Sequence, residues 1–267
     1  MPCEVEKMRA LVLLTPAEGK RLIAKAVVQL EVVKKALNDG IVVIGTGTTN
    51  TFVAEEILGK KMDQSEFVRG VVATEGFAGS VGKTLSLIFV KGELKPELKA
   101  QDVYDKMGED DFFIKGANAL DVNGEVGIWI GCPDLGVGGM GGLLARGITT
   151  GITIVVPVGL EKLIPIPMLE ASAECGRKRI QYNQSSRHPA CGLFVVHGNK
   201  VVITEVDAVN VLSGATAVPV GAGGINGAEG AFLFVVKGDE AKVKKAVEII
   251  NSVKGEPLIK VKLAGSN

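Results

Sequence analysis

Residues 38–51, Asn-Asp-Gly-Ile-Val-Val-Ile-Gly-Thr-Gly-Thr-Thr-Asn-Thr, constrain the fold more than any other stretch. Ile41-Val42-Val43-Ile44 is apolar without polar alternation, the pattern of a strand covered on both faces. The period then changes. Phe52, Val53, Ile57 and Leu58 fall on one stripe of a helix over about 49–58, and Gly59 supplies its stop. Between the two lies a Gly-Thr turn whose glycines admit tight backbone geometry. Its exposed N–H groups, its hydroxyls and the positive end of the following helix suit an anion. Gly45, Thr46, Gly47, Thr48, Thr49 and Asn50 are therefore the first candidate ligand-binding residues.

Thr15-Pro16-Ala17-Glu18 has the spacing of a capping box with proline at the first helical position. It predicts a long helix to about residue 37, with Leu22, Ile23, Ala26, Val27, Leu30, Val33 and Leu37 on one face and Lys20, Arg21, Lys34 and Lys35 on the other. Apolar strands are expected at 68–73, 85–90, 112–114, 126–130 and 152–156, with helical segments near 95–106 and 143–146. This alternation predicts an α/β fold with a Rossmann-like, largely parallel sheet and helices on both faces, spanning 1–165. Prolines, the run Arg177-Lys178-Arg179 and a polar stretch to His188 mark a boundary. A smaller α+β domain is expected over 166–267, with strands near 193–196, 201–203, 232–236 and 258–263, a helix after Thr204 and another over 239–253.

At 267 residues and 46% hydrophobic content, the chain can bury a sizeable core. Thirty basic and thirty acidic residues cancel, so no global field favours nucleic acid or an anionic membrane. Cys3, Cys132, Cys175 and Cys191 form no CxxC pair, and the two histidines, His188 and His197, lack metal-ligand spacing. No apolar run approaches the roughly 20 residues of a membrane span, and since the first residues show no apolar core or cleavage site, no secretion signal is expected. The cytoplasm is the expected location.

Three segments in order resemble the superfamily of ribose-5-phosphate isomerase, glucosamine-6-phosphate deaminase, the effector domains of sugar-phosphate-responsive repressors and the coenzyme A transferases. They are the helix leading into DGIVVIGTGTTNTFVAEEIL, the strand-loop DFFIKGANALD over 111–121, and GGMGGLLARG over 138–147 followed by ITIVVPVGLEKLIP. The resemblance covers about residues 16–165. The strand-loop is similar to the isomerase's DGADE loop, but Lys115 and Asn118 stand where that loop has aspartates. Gly147 stands where the isomerase has its general-base glutamate, so weak or absent ribose-5-phosphate isomerase activity is expected. Ala73-Thr74-Glu75-Gly76 partly resembles the strand end that carries the transferase nucleophile, which implies Glu75 as an attacking carboxylate.

Lys115 is a candidate to neutralise a phosphate or polarise a carbonyl, and Asp121 and Asp134 are candidate acids or bases. Asn118 suits a sugar hydroxyl. The glycine-rich run that includes Gly138, Gly139 and Gly141 permits close backbone approach to a ligand. Gly82-Lys83-Thr84 lacks the first glycine of a phosphate loop, though Lys83 can still reach an anion. The expected function is binding of a small phosphorylated or anionic metabolite such as a sugar phosphate, with proton-transfer chemistry. The alternatives are acyl or coenzyme A transfer through Glu75 and a noncatalytic metabolite sensor. No cofactor is expected on the leading reading, whereas coenzyme A belongs to the transferase reading. A homo-oligomer is compatible with either.

Overall fold

Thr15 starts a helix as its sequence requires. Its hydroxyl accepts the Glu18 N–H at 3.4 Å, and the Glu18 carboxylate accepts the Thr15 N–H at 2.9 Å. The computed structural model describes residues 7–74, 76–79, 81–84, 86–130, 140–176, 178–181 and 192–264. The candidates Glu75, Asp134, Gly138 and Gly139 lie outside these residues, as do Cys3, Cys132, Cys191, Arg177, Arg187 and His188.

The first part of the chain runs β1 (Lys7–Leu14), α1 (Pro16–Val27), α2 (Glu31–Asp39), β2 (Ile41–Gly45), α3 (Thr48–Leu58) and α4 (Gln64–Phe67). It continues with β3 (Gly70–Ala73), β4 (Gly76–Gly79), β5 (Ser86–Val90), β6 (Glu93–Leu94), α5 (Ala100–Val103), β7 (Phe112–Ile114), β8 (Ala119–Leu120) and β9 (Val126–Ile130). Then come α6 (Met140–Thr150), β10 (Thr153–Pro157), α7 (Met168–Ala173), β11 (Gly192–Val195), β12 (Lys200–Ile203), α8 (Glu205–Ser213), β13 (Thr216–Gly223), β14 (Ala231–Asp239) and α9 (Glu240–Ser252).

A six-stranded sheet in the order β12-β10-β7-β2-β5-β6 forms the centre. Its strands β2, β7, β10 and β12 are mutually parallel, while β5 and β6 add an antiparallel margin. The chain is thus a mixed α/β protein with a mostly parallel sheet. Val42, Val43 and Ile44 are fully buried, as their unbroken apolarity predicts. Smaller antiparallel sheets, β1-β14-β13 and β11-β9-β8, and the β3-β4 hairpin complete the strands.

The long helix expected from Thr15 to about 37 is two helices. Val28, Gln29 and Leu30 turn the chain, and the Gln29 and Leu30 N–H groups close tight bonds to Ala26 and Val27 at 3.0 and 3.2 Å. The break lets α1 pack on α3 and α8 while α2 covers β2 and β5, which one straight rod cannot do. Lys20 and Arg21, expected on a solvent face, are each 5% exposed. Arg21 bonds to Glu55, to Glu56 at 2.9 Å and to Glu256 at 2.9 Å, and its guanidinium lies 4.3 Å over the Phe52 ring.

Helix expected over 95–106 contracts to α5 and a 3-10 turn, Tyr104–Lys106. Pro96 disfavours helical backbone at Lys95, whose N–H instead bonds to Ile88 at 2.8 Å. The stretch 258–263 enters no named strand; Lys262 accepts the Val81 N–H at 3.1 Å and donates its own to Ser65 at 3.1 Å. The expected division at 165 does not part the layers. β12 pairs with β10, β11 pairs with β9, and β1 pairs with β14, so one hydrophobic cluster extends from Leu14 to Val253.

Candidate functional site

The β2 strand delivers Gly45, Thr46 and Gly47 to the carboxyl edge of the parallel strands, beside the end of β7. Gly47 has φ 153° and ψ 158°, a conformation that a side chain rarely adopts. Its N–H is taken by Phe67 O at 3.1 Å, and its carbonyl accepts the Thr51 N–H and hydroxyl, each at 2.9 Å. No side chain caps α3. The N–H groups of Thr48, Thr49 and Asn50, which cannot bond within the helix, have no acceptor among the described residues. The expected cradle is therefore shifted: Gly47 contributes its backbone angle, and the free donors begin at Thr48.

Asn50 has a different role from the one its position suggested. Fully buried, it donates through Nδ2 to Gly45 O at 2.6 Å and Ile114 O at 3.2 Å, and its Oδ1 accepts the Gly116 N–H at 3.1 Å. The side chain clamps the ends of β2 and β7 together and leaves only its main-chain N–H for a ligand. Thr46 and Thr49 are buried, and Thr48 is half-buried.

Across this turn stands Lys115, one residue past β7. Its Nζ donates to Thr46 O at 3.0 Å and Gly116 O at 3.3 Å, and a Cβ on Gly47 would lie 3.8 Å from it. An ammonium has three donors, so one meets no acceptor among the described residues. No carboxylate pairs with it among the described residues. Burial pushes its pKa down to about 8.

The other candidates do not join this arrangement. Asp121 accepts N–H bonds from Asn123 at 2.8 Å, Glu125 at 3.0 Å and Met168 at 2.9 Å, tying the β8–β9 turn to the start of α7. Burial works to raise its pKa, but those N–H groups, with Lys200 nearby, outweigh it and hold the carboxyl below its usual range. It lines an open groove with Leu120, Leu160, Leu163, Val202 and Thr204, yet offers no uncommitted oxygen for acid–base work. Asn118 turns its Oδ1 to Trp129, whose N–H it accepts at 3.0 Å. Lys83 is exposed and nothing among the described residues ties it to the turn. Gly141 lies in the first turn of α6 rather than in a ligand loop.

Sequence reasoning missed a second group of charges at the same sheet edge. Lys20 pairs with Glu161, which follows β10, and Glu205 opens α8 after β12. Their positions just past parallel strands are the available signal, because α/β sheets place ligands and chemistry at carboxyl ends. Lys20 carried no such signal.

No family model, no curated protein and no solved structure matches the chain. Among the described residues no helix is long and apolar enough to cross a membrane, and no group of three or more His, Cys, Asp or Glu side chains could hold a metal ion.

Proposed function

We propose that the protein binds a small phosphorylated metabolite, such as a sugar phosphate, at the turn between β2 and α3. The observation that carries this reading is the Lys115 ammonium beside the uncapped start of α3, held by carbonyl oxygens and matched by no carboxylate among the described residues. A phosphate oxygen there accepts from the Thr48–Asn50 N–H groups, takes the remaining Lys115 donor and supplies the missing negative charge. The Thr48 and Thr49 hydroxyls add further donors. The ordered likeness of the three sequence segments to sugar-phosphate proteins, with their Rossmann-like sheet, supports the same ligand class.

Proton transfer is the catalytic half of the proposal. Burial lowers the Lys115 pKa to about 8 in the free site, which makes its ammonium a readier proton donor than an ordinary lysine. A bound phosphate pulls that value back up, so the proposed transfer runs from the ammonium to the substrate. Calorimetry with inorganic phosphate and ribose 5-phosphate tests the binding half. Saturable binding that Lys115→Met abolishes is expected, and unchanged affinity in that variant, with the fold intact, overturns the site. A direct ribose-to-ribulose assay should show little or no turnover, because Lys115, Asn118 and Gly147 replace the isomerase's acidic groups. Robust turnover would mean that a different carboxylate acts as the base.

A further inference from the structure

Glu161 and Glu205 converge beside two positions where the chain carries glycine, Gly19 and Gly159. Glu205, at 4% exposure, accepts the Leu160 N–H on Oε2 at 2.9 Å. Its Oε1 would lie 2.5 Å from a Cβ on Gly19 of α1 and 3.1 Å from one on Gly159. The second oxygen of Glu161 would lie 1.8 Å from that same Gly159 Cβ, so both carboxylates occupy the space which the glycine leaves open. Glu161 Oε1 is bonded to Lys20, but its Oε2 is buried and meets no donor among the described residues. A buried carboxylate oxygen without a donor, facing a second buried carboxylate, is unfavourable unless a proton lies between them.

We propose that Glu161 and Glu205 share one proton, carried by Glu205, and that this proton latches the Leu160–Lys162 turn to α1 and α8. The Glu205 hydroxyl then donates to Glu161 Oε2, leaving Glu161 with a single charge opposite Lys20. On deprotonation the Glu205 O–H bond breaks, the proton passes to water, and two anions face each other across Gly159. Lys162, on the turn itself, is held below its usual pKa first by burial and then by Lys20, against the pull of Glu161. On the α8 side Asp207 is engaged by the Thr204 N–H and hydroxyl at 2.8 and 2.7 Å. Lys20 is thus the cation matched to the pair.

The direction of titration agrees with this geometry. Burial, and secondarily Glu161, raise the Glu205 pKa from 4.5 to about 7, against the Leu160 N–H and Lys20. Because the folded value exceeds the unfolded one, the contribution to stability is complete below about pH 4.5 and is lost as pH rises to about 7, with no further loss above.

Two measurements on the full chain test the latch. Infrared difference spectroscopy should show a protonated carboxyl that titrates near neutral pH and is missing from Glu205→Gln. Hydrogen exchange of the Leu160 amide, corrected for intrinsic rate, should show opening that grows at least about tenfold between about pH 4.5 and about pH 7.5. Glu205→Gln keeps an acceptor for Leu160 and a donor for Glu161, so its opening should stay flat over that range. Should that variant fail to fold, Glu161→Gln still decides, since removing the neighbouring charge should lower the infrared midpoint. An ionised Glu205 at about pH 5 in the wild type, or Leu160 opening that does not change with pH, overturns the proposal.

Discussion

Two lysines at one sheet edge are treated in opposite ways. Lys20, on α1, is buried and bonded to Glu161, so its charge is neutralised within the fold. Lys115, at the end of β7, has two carbonyl oxygens and no carboxylate among the described residues. The first arrangement is complete without a ligand, because each buried charge of the pair has the other. The second is electrostatically open among the described residues, and an anion from outside would balance it. Buried charge alone therefore does not mark a binding site; the absence of an internal counter-charge does.

The largest way to break this comparison is Lys20→Met. It strands Glu161 next to Glu205 and should destabilise the protein by about 3–5 kcal/mol in chemical denaturation, the usual result of removing one partner of a buried pair. A loss no greater than that of Lys115→Met would erase the distinction. Asn50→Ala comes next. It frees the Gly116 N–H and two carbonyls at the joint between β2 and β7, and a loss of about 2–3 kcal/mol is expected from unsatisfied buried groups. A neutral result would show that the clamp does not hold the turn.

Lys115→Met should behave differently. At neutral pH it should lose no stability, because the variant removes a buried charge that disfavours folding, while affinity for a phosphate ester falls at least about tenfold, as measured by calorimetry. The last test separates the two lysines by pH dependence. Since the Lys115 pKa is lowered from 10.5 to about 8, its burial disfavours folding fully below about pH 8, and that burden disappears as pH rises towards 10.5. Wild-type stability should thus gain on Lys115→Met across that window, while phosphate affinity declines as the amine loses its proton. Affinity that holds steady from about pH 7 to about pH 9.5 would remove the ammonium from the site.

Much of the local structure was legible because short-range chemistry dictates it. Phe112–Ile114 and Val126–Ile130 form strands over the expected residues, and the Thr15 and Thr204 caps start helices where their spacing places them. β1 and β13 were not legible. Lys7–Leu14 becomes a strand by pairing along its whole length with β14, more than 200 residues away in the chain, and β13 tolerates Pro219 because it is an edge strand with a register shift there. The turn between β2 and α3 was placed correctly, but which of its donors are free was not: Phe67, from α4, takes the Gly47 N–H.

Sequence by itself determined the alternation of apolar strands and amphipathic helices, the glycine turn and the position of Lys115 one residue past a buried strand. These follow from side-chain period, backbone freedom at glycine and capping, all of which act over a few residues. Tertiary structure decided which polar groups are spent and which remain available. It turned Asn50 and Asp121 inward onto backbone donors and acceptors, buried Lys20 against Glu161, brought Glu205 to the same point and left Lys115 with carbonyls alone among the described residues. That assignment depends on partners distant in sequence and on loss of water, because a polar side chain's chemistry is set by the company it keeps after burial.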